Sequence, residues 1–452
     1  MGTFDYAVLG LGKTGQAVIK YLAEHEPAAS ILGSDSKHDP KLLASLKKLY
    51  PQVQFETGGH SDRVLGSKCA IKSPGIHPDS EILKSCKERR MPVLSEIDFA
   101  FLNIARPEKV IAITGTNGKT TTTHMLGSLL KQAGKRVIVA GNIGEPLILY
   151  SDKITPKSIL VLELSSYQLE DSRSLGLDCA IMLNITKDHL DHHRDFKTYQ
   201  QAKKKIISFL APNGTLIANL DDKMIRRFAD KASQNILFFS KKKTHHASCW
   251  LKNNSIMIKN KKGVSRVRAS KHLLGDHNME NQMAVLLAAS YLDVPSKKLL
   301  HALTDYKAPA HRLEIFGEKN KVLFINDSKA TNVDATVTAL KAITPLACKR
   351  AGKILLLLGG RGKGEPYKSI KKFKGIIRSL YIYGEDTIKI KNDLSGLNHS
   401  AFADIRTSAR NAIMEAKQND IIILSPACAS FDQFSDFEKR GEEFRKIWQK
   451  SG

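Results

Sequence analysis

The chain has 452 residues, of which 42% are hydrophobic and 25% are charged, and its formal net charge at pH 7 is +25. At about 150 residues per domain this length predicts about three domains, and the hydrophobic fraction is sufficient for buried cores. No apolar run approaches the roughly 20 residues that a membrane-spanning helix needs, and the first residues lack the pattern of a secretory signal. We therefore expect a cytoplasmic protein without membrane insertion.

The cysteines are scattered along the chain without a Cys-x-x-Cys pair, so the pattern does not predict a disulfide framework. His245, His246 and Cys249 form a small cluster that is compatible with zinc binding. Because no second pair of ligands follows at the spacing of a zinc site, we interpret this cluster as an exposed polar loop.

Much of the positive charge lies in runs of lysine. One interpretation is binding to nucleic acid, whose phosphates attract basic surfaces. The runs carry no interleaved aromatic residues, and no RRM, KH or zinc-finger signature accompanies them. We favour the alternative, a solvated basic surface with pockets for anionic substrates, and expect no specific nucleic-acid partner. The runs are Lys203–Lys205, Lys241–Lys243 and Lys261–Lys262.

The first segment begins with a predicted strand at Tyr6–Leu9, followed by the glycine-rich turn Gly10–Gly15 and a predicted helix from Gln16 to Glu24. A second strand, Ile31–Asp35, ends in an acidic residue about 20 positions after the turn. In this dinucleotide-type pattern, glycines let a diphosphate approach the backbone and the acid accepts hydrogen bonds from a sugar or base. The pattern does not specify the nucleotide. A strand-like run at Cys69–Ile71 then leads into the tight turn Ser73-Pro74-Gly75.

The second segment contains the turn Thr114–Thr120, between a predicted strand at Val110–Ile113 and a predicted helix at Thr121–Ala133. Such a small-residue turn leaves backbone N–H groups to surround a phosphate, and the helix N-terminus adds partial positive charge. Lys119 can reach a terminal phosphate and the Thr120 hydroxyl can ligate Mg²⁺, so the turn predicts a nucleoside-triphosphate site. It departs from the standard phosphate loop, because Ile113 replaces the first glycine. The alternative is a glycine-rich turn without a ligand.

Two more strands of the second segment end in candidate metal ligands. The strand Ile159–Leu162 is followed by Glu163, a carboxylate well placed to hold Mg²⁺ beside the phosphate loop. The alternative role for Glu163 is that of a helix N-cap acid, which Ser165 or Ser166 would fill better. The strand Cys179–Leu183 leads into Asn184–Asp191, where His189 is a metal ligand, a substrate contact or a structural residue.

The third segment begins near Ala308 and places a polar motif after each of three predicted strands. Strands that alternate with helices throughout predict parallel sheets, which bind ligands beyond the carboxyl ends of their strands. We therefore expect an α/β protein with domains at residues 1–98, 99–306 and 307–452. The strands and their motifs are Val322–Ile325 with Asn326–Asn332, Ile354–Leu358 with Gly359–Gly364, and Ile421–Leu424 with Ser425–Ser430.

Together these motifs resemble those of the Mur ligases, and the resemblance covers nearly the whole chain. The phosphate loop is shared by all Mur ligases and by folylpolyglutamate synthases, whereas the third segment resembles the branch that adds D-glutamate. The resemblance implies a Rossmann-like N-terminal domain, a central P-loop ATPase-type domain with a parallel sheet, and a Rossmann-like C-terminal domain. Its most specific parts are Thr114–Thr120, Glu163–Glu170, Asn326–Asn332 and Leu424–Phe434.

The resemblance also implies roles at the two nucleotide sites. The first domain would bind the UDP of the substrate, and Asn142 would contact its muramoyl part. Asn278 and Asn281 would lie on the adenine side, and Arg312 and Asp327 would meet the γ-phosphate and ribose of ATP. The residues implied for UDP are Lys13, Thr14, Asp35 and Gly75. Those implied for the ATP phosphates are Gly115, Thr116, Asn117, Gly118, Lys119, Thr120 and Thr121, with Lys329 serving both ATP and the amino acid.

Two Mg²⁺ ions are implied, with Thr120, Glu163, His189 and Lys203 as ligands. Lys203 aligns with a lysine that such enzymes carry as a carbamate, and the alternative is an ordinary surface lysine. D-glutamate would be bound by Thr331, Lys363, Ser430 and Phe437. The alternative is that Lys363 is a solvated loop residue and Phe437 a core residue. The implied catalytic residues are Lys119, His189, Lys203 and Lys363.

The implied reaction is an ATP-dependent amide ligation in peptidoglycan precursor synthesis, catalysed by a monomer. The γ-phosphoryl group of ATP would move to the carboxylate of UDP-N-acetylmuramoyl-L-alanine, and the amine of D-glutamate would attack the resulting acyl phosphate. The alternatives are another Mur ligase, a folylpolyglutamate synthase, a nucleic-acid binder and a nicotinamide-dependent oxidoreductase built on Gly10–Gly15. The oxidoreductase would leave the phosphate loop and Glu163 unexplained.

Overall fold

The computed structural model describes residues 4–189, 192–253, 255–260, 263–270, 273–295, 303–304, 306–307 and 309–451. Parts of the sequence interpretation fall outside the described residues, namely Leu190, Asp191, Lys261, Lys262 and Ala308. The chain divides into two compact units. The first comprises Met1–Val267 and Glu280–Ala302, and the second comprises Arg268–Met279 and Leu303–Gly452.

The first unit contains a small sheet near the N-terminus. Its elements are β1 (Tyr6–Leu9), α1 (Lys13–His25), β2 (Ile31–Asp35), α2 (Pro40–Leu49), β3 (Gln54–Thr57), α3 (Asp62–Leu65), β4 (Cys69–Lys72), α4 (Glu81–Glu88), β5 (Val93–Ser95) and α5 (Glu96–Asn103). The five strands are parallel, in the order β3-β2-β1-β4-β5. The predicted strands Tyr6–Leu9 and Ile31–Asp35 are confirmed, and the helix after the glycine-rich turn begins earlier than predicted, at Lys13.

A larger sheet follows in the chain. Its elements are β6 (Lys109–Thr114), α6 (Lys119–Gln132), β7 (Arg136–Gly141), a 3-10 helix (Leu147–Lys153), β8 (Ser158–Glu163), α7 (Ser166–Asp171), β9 (Leu177–Met182), α8 (Phe196–Ser208), β10 (Leu210–Asn219), α9 (Lys223–Ala229), β11 (Asn235–Ser240), β12 (Ala247–Lys252), β13 (Ser255–Asn260), β14 (Gly263–Arg268) and α10 (Asp276–Tyr291). The strand order is β14-β13-β12-β11-β10-β9-β6-β8-β7. The strands around β6 are parallel, as predicted.

One edge of this sheet departs from the prediction of a wholly parallel arrangement. Strands β12 and β13 pair antiparallel, with Trp250 opposite Met257. Only two residues separate Lys252 from Ser255, and a parallel crossover needs about a dozen or more. The short connection therefore imposes a hairpin, and the prediction was wrong for this edge.

The second unit carries the third sheet. Its elements are β15 (Glu314–Lys319), β16 (Val322–Asn326), α11 (Val333–Lys349), β17 (Ile354–Gly359), a 3-10 helix (Tyr367–Phe373), β18 (Ile377–Tyr383), α12 (Thr387–Asp393), β19 (His399–Phe402), α13 (Ile405–Glu415), β20 (Ile421–Leu424) and α14 (Phe437–Lys450). The strand order is β15-β16-β20-β17-β18-β19. All neighbours are parallel except β15 and β16, so the prediction of a wholly parallel sheet is wrong for this edge too. The connecting residues Asn320 and Lys321 both have positive φ, as tight hairpins require.

The central strands are buried along their whole length. Every residue of β8 and of β17 is buried, which is typical of parallel strands covered on both faces. Polar residues therefore come to the surface of each sheet mainly where its strands end. Each of the three predicted segments holds one sheet, while the domain boundaries at 98 and 306 stay a prediction. In the part of the chain that is described, no helix has the length and apolar character needed to cross a membrane.

Buried polar contacts join the first two sheets within the first unit. The ammonium of Lys72, at the end of β4, lies 2.6 Å from a carboxylate oxygen of Asp171, at the end of α7. A carboxylate oxygen of Glu96, the first residue of α5, accepts a hydrogen bond of 3.1 Å from the backbone N–H of Ile148. Glu96 is only 3% exposed, so its charge is costly in the folded protein.

Burial raises the pKa of Glu96 to about 7, although backbone N–H groups of Ile148 and Leu147 favour its charged form. Between the unfolded value of 4.5 and about 7, the folded state keeps a proton that the unfolded state has released, so stability falls as the pH rises through this window. Glu96→Gln removes this cost. We expect the variant to match the natural protein near pH 4 and to exceed its stability by up to about 3 kcal/mol above pH 7.

Urea unfolding at a series of pH values measures this difference. Glu88→Gln is the matched control, because Glu88 is exposed and its replacement should give no such trend. A stability difference for Glu96→Gln that is the same at pH 4 and pH 8 would contradict the assignment.

Candidate functional site

The loop between β6 and α6 is the centre of the candidate site in the first unit. Gly118 has φ of +86°, a left-handed conformation that favours glycine. A Cβ at this position would also collide with the side-chain oxygen of Asn281. The loop runs directly into α6, which begins at Lys119, so the predicted placement between a strand and a helix is confirmed. A helix N-terminus after such a loop attracts anions.

Side chains from neighbouring segments hold the loop in place. Asn184 accepts a 2.8 Å hydrogen bond from the backbone N–H of Asn117 and donates one of 3.0 Å to its carbonyl oxygen. The hydroxyl of Thr116 lies 2.9 Å from that of Tyr199 and accepts a 2.9 Å bond from the Thr186 N–H. The loop conformation is therefore fixed by the folded chain before any ligand binds.

Lys119 lies in the first turn of α6, with its ammonium folded over the loop. Its Nζ donates to the carbonyl oxygens of Gly115 at 2.8 Å and of Thr116 at 2.9 Å. Thr120 is half-buried and Thr121 is buried. The structure thus gathers a cation and two hydroxyl-bearing residues at the start of α6, as the phosphate-loop interpretation requires.

Glu163 ends β8, directly beside β6, where its pairing partner is Ile113. One carboxylate oxygen accepts a 2.9 Å hydrogen bond from Asn142, while the other is buried without a hydrogen-bond partner among the described residues. The N-cap of α7 is Ser165, which forms a capping box with Gln168, so the alternative role of Glu163 as a cap is wrong. A buried carboxylate oxygen without a protein partner suits a cation ligand.

Lys203 projects from α8 and is 1% exposed, so its interpretation as a surface lysine is wrong. Its Nζ donates to the carbonyl oxygen of Gly115 at 2.8 Å and lies 4.9 Å from the centre of the Tyr199 ring. Burial, followed by the nearby charge of Lys119, lowers the pKa of Lys203 well below its usual value. The neutral amine, which is the nucleophilic form, is therefore favoured at this position.

His189 lies after β9, at a positive φ of 52° that is uncommon outside glycine and often marks functional sites. Its Nδ1 is 2.9 Å from the hydroxyl of Tyr167, and its Nε2 is 3.6 Å from a carboxylate oxygen of Asp188. The side chain is 38% exposed, which leaves it accessible to a ligand.

The cluster His245, His246 and Cys249, which the sequence made compatible with zinc binding, does not come together in the structure. His245 and His246 are exposed, so their interpretation as part of an exposed polar loop is confirmed. The same interpretation is wrong for Cys249, which is fully buried in β12. Lys241–Lys243 is also exposed, as expected of a solvated basic surface.

The residues implied for UDP binding lie at or just beyond the carboxyl ends of β2, β1 and β4, which are neighbours in the first sheet. Asp35 accepts hydrogen bonds from the backbone N–H groups of Leu11 at 2.7 Å and Lys37 at 2.9 Å. The Ser73 hydroxyl donates to the carbonyl oxygen of Gly10 at 3.2 Å, which holds the turn bearing Gly75 against the glycine-rich turn.

Lys13 and Thr14 begin α1 beside this group. The Lys13 ammonium contacts the carbonyl oxygen of Gly144 at 2.7 Å and the carboxylate of Glu145 at 3.2 Å. It thus bridges from the first sheet to the segment that follows Asn142, and its role toward UDP stays a prediction.

Asn278 and Asn281 lie one turn apart on α10. The Asn281 side chain lies against Gly118 of the phosphate loop, whereas Asn278 donates to the carbonyl oxygen of Leu274 at 2.8 Å. Arg312 is half-buried just before β15. Their contacts with adenine and the γ-phosphate stay predictions.

In the second unit, the three predicted motifs follow β16, β20 and β17, which are adjacent strands. The backbones of Arg361 and Ala429 exchange hydrogen bonds of 3.0 and 2.9 Å. The Gly359 N–H donates to the carbonyl oxygen of Pro426 at 3.0 Å. These bonds bring the turn that bears Lys363 beside the turn that bears Ser430. Lys363 is exposed and Ser430 is 2% exposed.

The motif after β16 faces the start of α14. The Lys329 ammonium lies 3.8 Å from the centre of the Phe437 ring, a close cation–π contact. Phe437 is half-buried, as is Thr331. The carboxylate of Asp327 accepts hydrogen bonds from the Leu313 N–H at 3.1 Å and from the Ser425 hydroxyl at 2.8 Å. Burial raises the pKa of Asp327 to about 7.

Sequence reasoning missed Arg440, which is fully buried in α14. Its guanidinium donates to the hydroxyl of Ser328 at 3.0 Å and to the carbonyl oxygens of Ser328 at 2.8 Å and Ala429 at 3.2 Å. No carboxylate forms a salt bridge with it in the described part of the chain. A buried cation without a counter-ion creates positive potential near Ser430.

The chain matches family models for three successive domains. Residues 5–95 match the MurD-like N-terminal domain of Mur ligases, residues 113–289 the Mur ligase middle domain, and residues 311–428 the glutamate ligase domain of Mur ligases. These matches include the phosphate loop and the motifs that follow β16 and β17.

Similar proteins span nearly the whole chain. A UDP-N-acetylmuramoylalanine–D-glutamate ligase from Elusimicrobium minutum is 36% identical, covering 98% of this chain and 97% of the relative. The ligase of the same name from Koribacter versatilis is 34% identical over 98% and 96%. The crystal structure of UDP-N-acetylmuramate-alanine ligase MurC from Thermotoga maritima superposes with a TM-score of 0.62 at 18% identity, covering 99% of this chain and 100% of that one, which supports the fold.

The Asn184 side chain makes two hydrogen bonds to the phosphate loop, so Asn184→Ala should weaken nucleotide binding without unfolding the protein. Two bonds of this kind contribute about 1–2 kcal/mol, which corresponds to roughly 5–30-fold in the ATP dissociation constant. Calorimetric titration with a non-hydrolysable ATP analogue measures the change. Asn392→Ala, at an exposed position, is the control. Equal affinity in Asn184→Ala and the natural protein would mean that the two Asn184 hydrogen bonds do not contribute to nucleotide binding.

Proposed function

The chain belongs to the Mur ligase family, and we propose that it is the member that joins D-glutamate to UDP-N-acetylmuramoyl-L-alanine with ATP, a step of peptidoglycan precursor synthesis. The relatives that cover nearly the whole chain carry the name of this ligase. The observation that carries the catalytic part of the proposal is the convergence of Lys119, Lys203 and Glu163 on the loop between β6 and α6.

A carboxylate is a poor acyl donor, so the reaction needs an activating step. The γ-phosphoryl group of ATP moves to the carboxylate of UDP-N-acetylmuramoyl-L-alanine, which gives ADP and an acyl phosphate. The neutral amine of D-glutamate then attacks the carbonyl carbon, and the tetrahedral intermediate expels phosphate to leave the amide. Lys119 offsets the negative charge that accumulates on the phosphoryl group, and the loop N–H groups hold the nucleotide in place.

The donor set at the loop fits Mg²⁺, because one buried oxygen of Glu163 lacks a hydrogen-bond partner among the described residues. Thr120, Glu163, His189 and a carbamylated Lys203 would hold two ions. When bound, Mg²⁺ supplies positive charge that screens the phosphate oxygens from the substrate carboxylate. The chain's own contribution is to bury Glu163 and Lys203 beside the phosphate loop and to leave His189 accessible.

The proximity of the two amines at the loop supports the proposal that Lys203 is carbamylated. Lys119 and Lys203 both donate to the carbonyl oxygen of Gly115 at 2.8 Å, so their amines are close neighbours. Burial and Lys119 together lower the pKa of Lys203, which supports the neutral amine. A neutral amine attacks CO₂ and, after loss of a proton, becomes a carbamate anion. The carbamate would supply oxygen ligands for a metal ion in place of an amine.

The second unit supports binding of a dianionic amino acid. The turn with Lys363 lies against the turn with Ser430, and the buried Arg440 adds positive potential close to Ser430. We propose that Lys363 and Ser430 hold carboxylate groups of D-glutamate, while Thr331 and Phe437 limit the space for its side chain. Lys363 is exposed, and Lys363→Ala should weaken the use of D-glutamate far more than the binding of ATP if its ammonium holds a carboxylate, whereas a solvated lysine would give no such difference.

The alternative enzymes differ in the acceptor that they use. Another Mur ligase would add a different amino acid, and a folylpolyglutamate synthase would use a folate. The similarity of both the N-terminal and the glutamate ligase domain to the Mur models supports the proposed member. An oxidoreductase on the Gly10–Gly15 turn is not supported, because the matched families are ligases.

Release of phosphate from ATP tests the proposal. We expect release that requires both UDP-N-acetylmuramoyl-L-alanine and D-glutamate, and rates with L-glutamate or D-glutamine that are lower by ~100-fold or more, because these analogues would leave a charge-assisted hydrogen bond of the amino-acid site unmade. Comparable rates with L-alanine, L-lysine or a folate acceptor would show that the chain is a different ligase of the fold.

Lys203→Ala should lower the ligation rate by ~100-fold or more, because a preorganised charge at the transferring group is lost. Added acetate should restore part of this rate by supplying a carboxylate in the vacated space. Lys204→Ala is the matched control, since Lys204 is the adjacent, half-exposed residue of α8 and should keep the natural rate. Full activity of Lys203→Ala, with or without acetate, would exclude a carbamate function.

A further inference from the structure

A cluster of two histidines and a glutamate lies in the first unit, separate from the residues assigned above. Glu170 belongs to α7, and His192 and His193 lie shortly before α8. The same oxygen of Glu170 is 3.2 Å from Nε2 of His192 and 3.6 Å from Nδ1 of His193. The three ligand atoms lie within 4.8 Å of one another, and no other group in the described chain brings three His, Cys, Asp or Glu ligand atoms so close.

We propose that Glu170, His192 and His193 bind a divalent transition-metal ion, for which Zn²⁺ is the best match. Imidazole nitrogen and carboxylate oxygen are ligands that zinc prefers, at about 2.0–2.2 Å. Two such ligands at a tetrahedral centre lie roughly 3.3–3.5 Å apart, close to the two separations between Glu170 and the histidines. Three protein ligands would leave the fourth position to water. Mg²⁺ prefers oxygen ligands, which distinguishes this site from the one at Glu163.

The surroundings orient the ligands as metal sites usually do. His193 has no exposed side-chain surface, and its other ring nitrogen, Nε2, lies 2.9 Å from the hydroxyl of Ser166. A hydrogen bond from a ring nitrogen to a neighbour fixes the tautomer and aims the opposite nitrogen at a metal. The Tyr167 ring lies 4.2 Å from the His192 ring and 5.4 Å from the His193 ring, which restricts both side chains.

The cluster remains accessible to an ion. The Glu170 side chain is 25% exposed and that of His192 is 11% exposed. The Lys205 ammonium contacts the backbone carbonyl of Glu170 at 2.6 Å and opposes a cation, so the affinity depends on all three ligands being present. A bound metal would link α7 to the segment that follows His189. Without a metal, the same contacts form a Glu–His hydrogen-bond network. A titration with Zn²⁺ distinguishes this network from a metal site.

The proposal goes beyond the ligase activity and is tested on the full-length protein without substrates. The protein is stripped with a chelator and titrated with Zn²⁺ in competition with a chromophoric chelator, in excess Mg²⁺ to occupy oxygen-rich sites. We expect one equivalent of Zn²⁺ to bind, and Co²⁺ in its place to give the intense visible absorption of a tetrahedral site. Loss of a residue that only hydrogen-bonds to a metal ligand typically weakens metal affinity by ~10–100-fold. Because Glu170 and His192 would contact the metal directly, Glu170→Gln and His192→Ala should each weaken Zn²⁺ affinity by more than this.

Two controls separate this site from others. His246→Ala removes an exposed histidine and should leave Zn²⁺ affinity unchanged, as should Glu163→Gln at the proposed Mg²⁺ site. Glu170→Gln and His192→Ala replace partly exposed side chains, so the test does not depend on folding of a variant at the buried His193. No stoichiometric binding, or binding that persists in both Glu170→Gln and His192→Ala, would overturn the proposal.

Discussion

Two lysine amines share one carbonyl oxygen, and this contact constrains the rest of the catalytic site. Lys119 and Lys203 each donate to Gly115 at 2.8 Å, and Lys203 is almost completely buried. Two ammonium groups in such a place would repel each other and lack solvation, so burial and Lys119 lower the pKa of Lys203. Asn184 and the Thr116 hydroxyl hold the loop from other sides through hydrogen bonds. A neutral or carbamylated Lys203 is therefore a condition for the phosphate and metal chemistry that we propose.

Much of the architecture could be predicted from the sequence, because buried apolar strands alternate with glycine-rich turns. The strands Tyr6–Leu9 and Ile421–Leu424 have the predicted bounds, and parallel pairing follows from the intervening helices. The phosphate loop was recognisable because Gly118 needs both a left-handed backbone and space for a neighbouring side chain. The antiparallel pair β12–β13 was missed, since each strand has only six residues and the strands lie among the lysine runs that were interpreted as a solvated surface.

The environment of the functional side chains was harder to predict from the sequence than the fold. The run Lys203–Lys205 by itself indicates surface charge. The spacing along the helix nevertheless places Lys203 on one face with apolar neighbours, and this face is buried. Its members are Tyr199, Ala202, Lys203 and Ile206. That spacing could have predicted from the sequence that Lys203 is buried. No sequence pattern predicted the contact between Glu170 and His192, because these residues are 22 positions apart and meet only in the folded chain. Arg440 was missed for the same reason, because its partners Ser328 and Ala429 lie in the segments after β16 and β20, and Ser328 is far from α14 in the sequence.

The central claim is that the site activates a carboxylate by phosphorylating it. UDP-N-acetylmuramoyl-L-alanine labelled with oxygen-18 in its carboxylate, incubated with ATP, D-glutamate and the enzyme, tests it directly by mass spectrometry of the released phosphate. An acyl phosphate returns one carboxylate oxygen to the phosphate, so our account predicts one labelled atom in each phosphate for each amide formed. Amide formation with unlabelled phosphate, or with release of AMP and pyrophosphate, would contradict it.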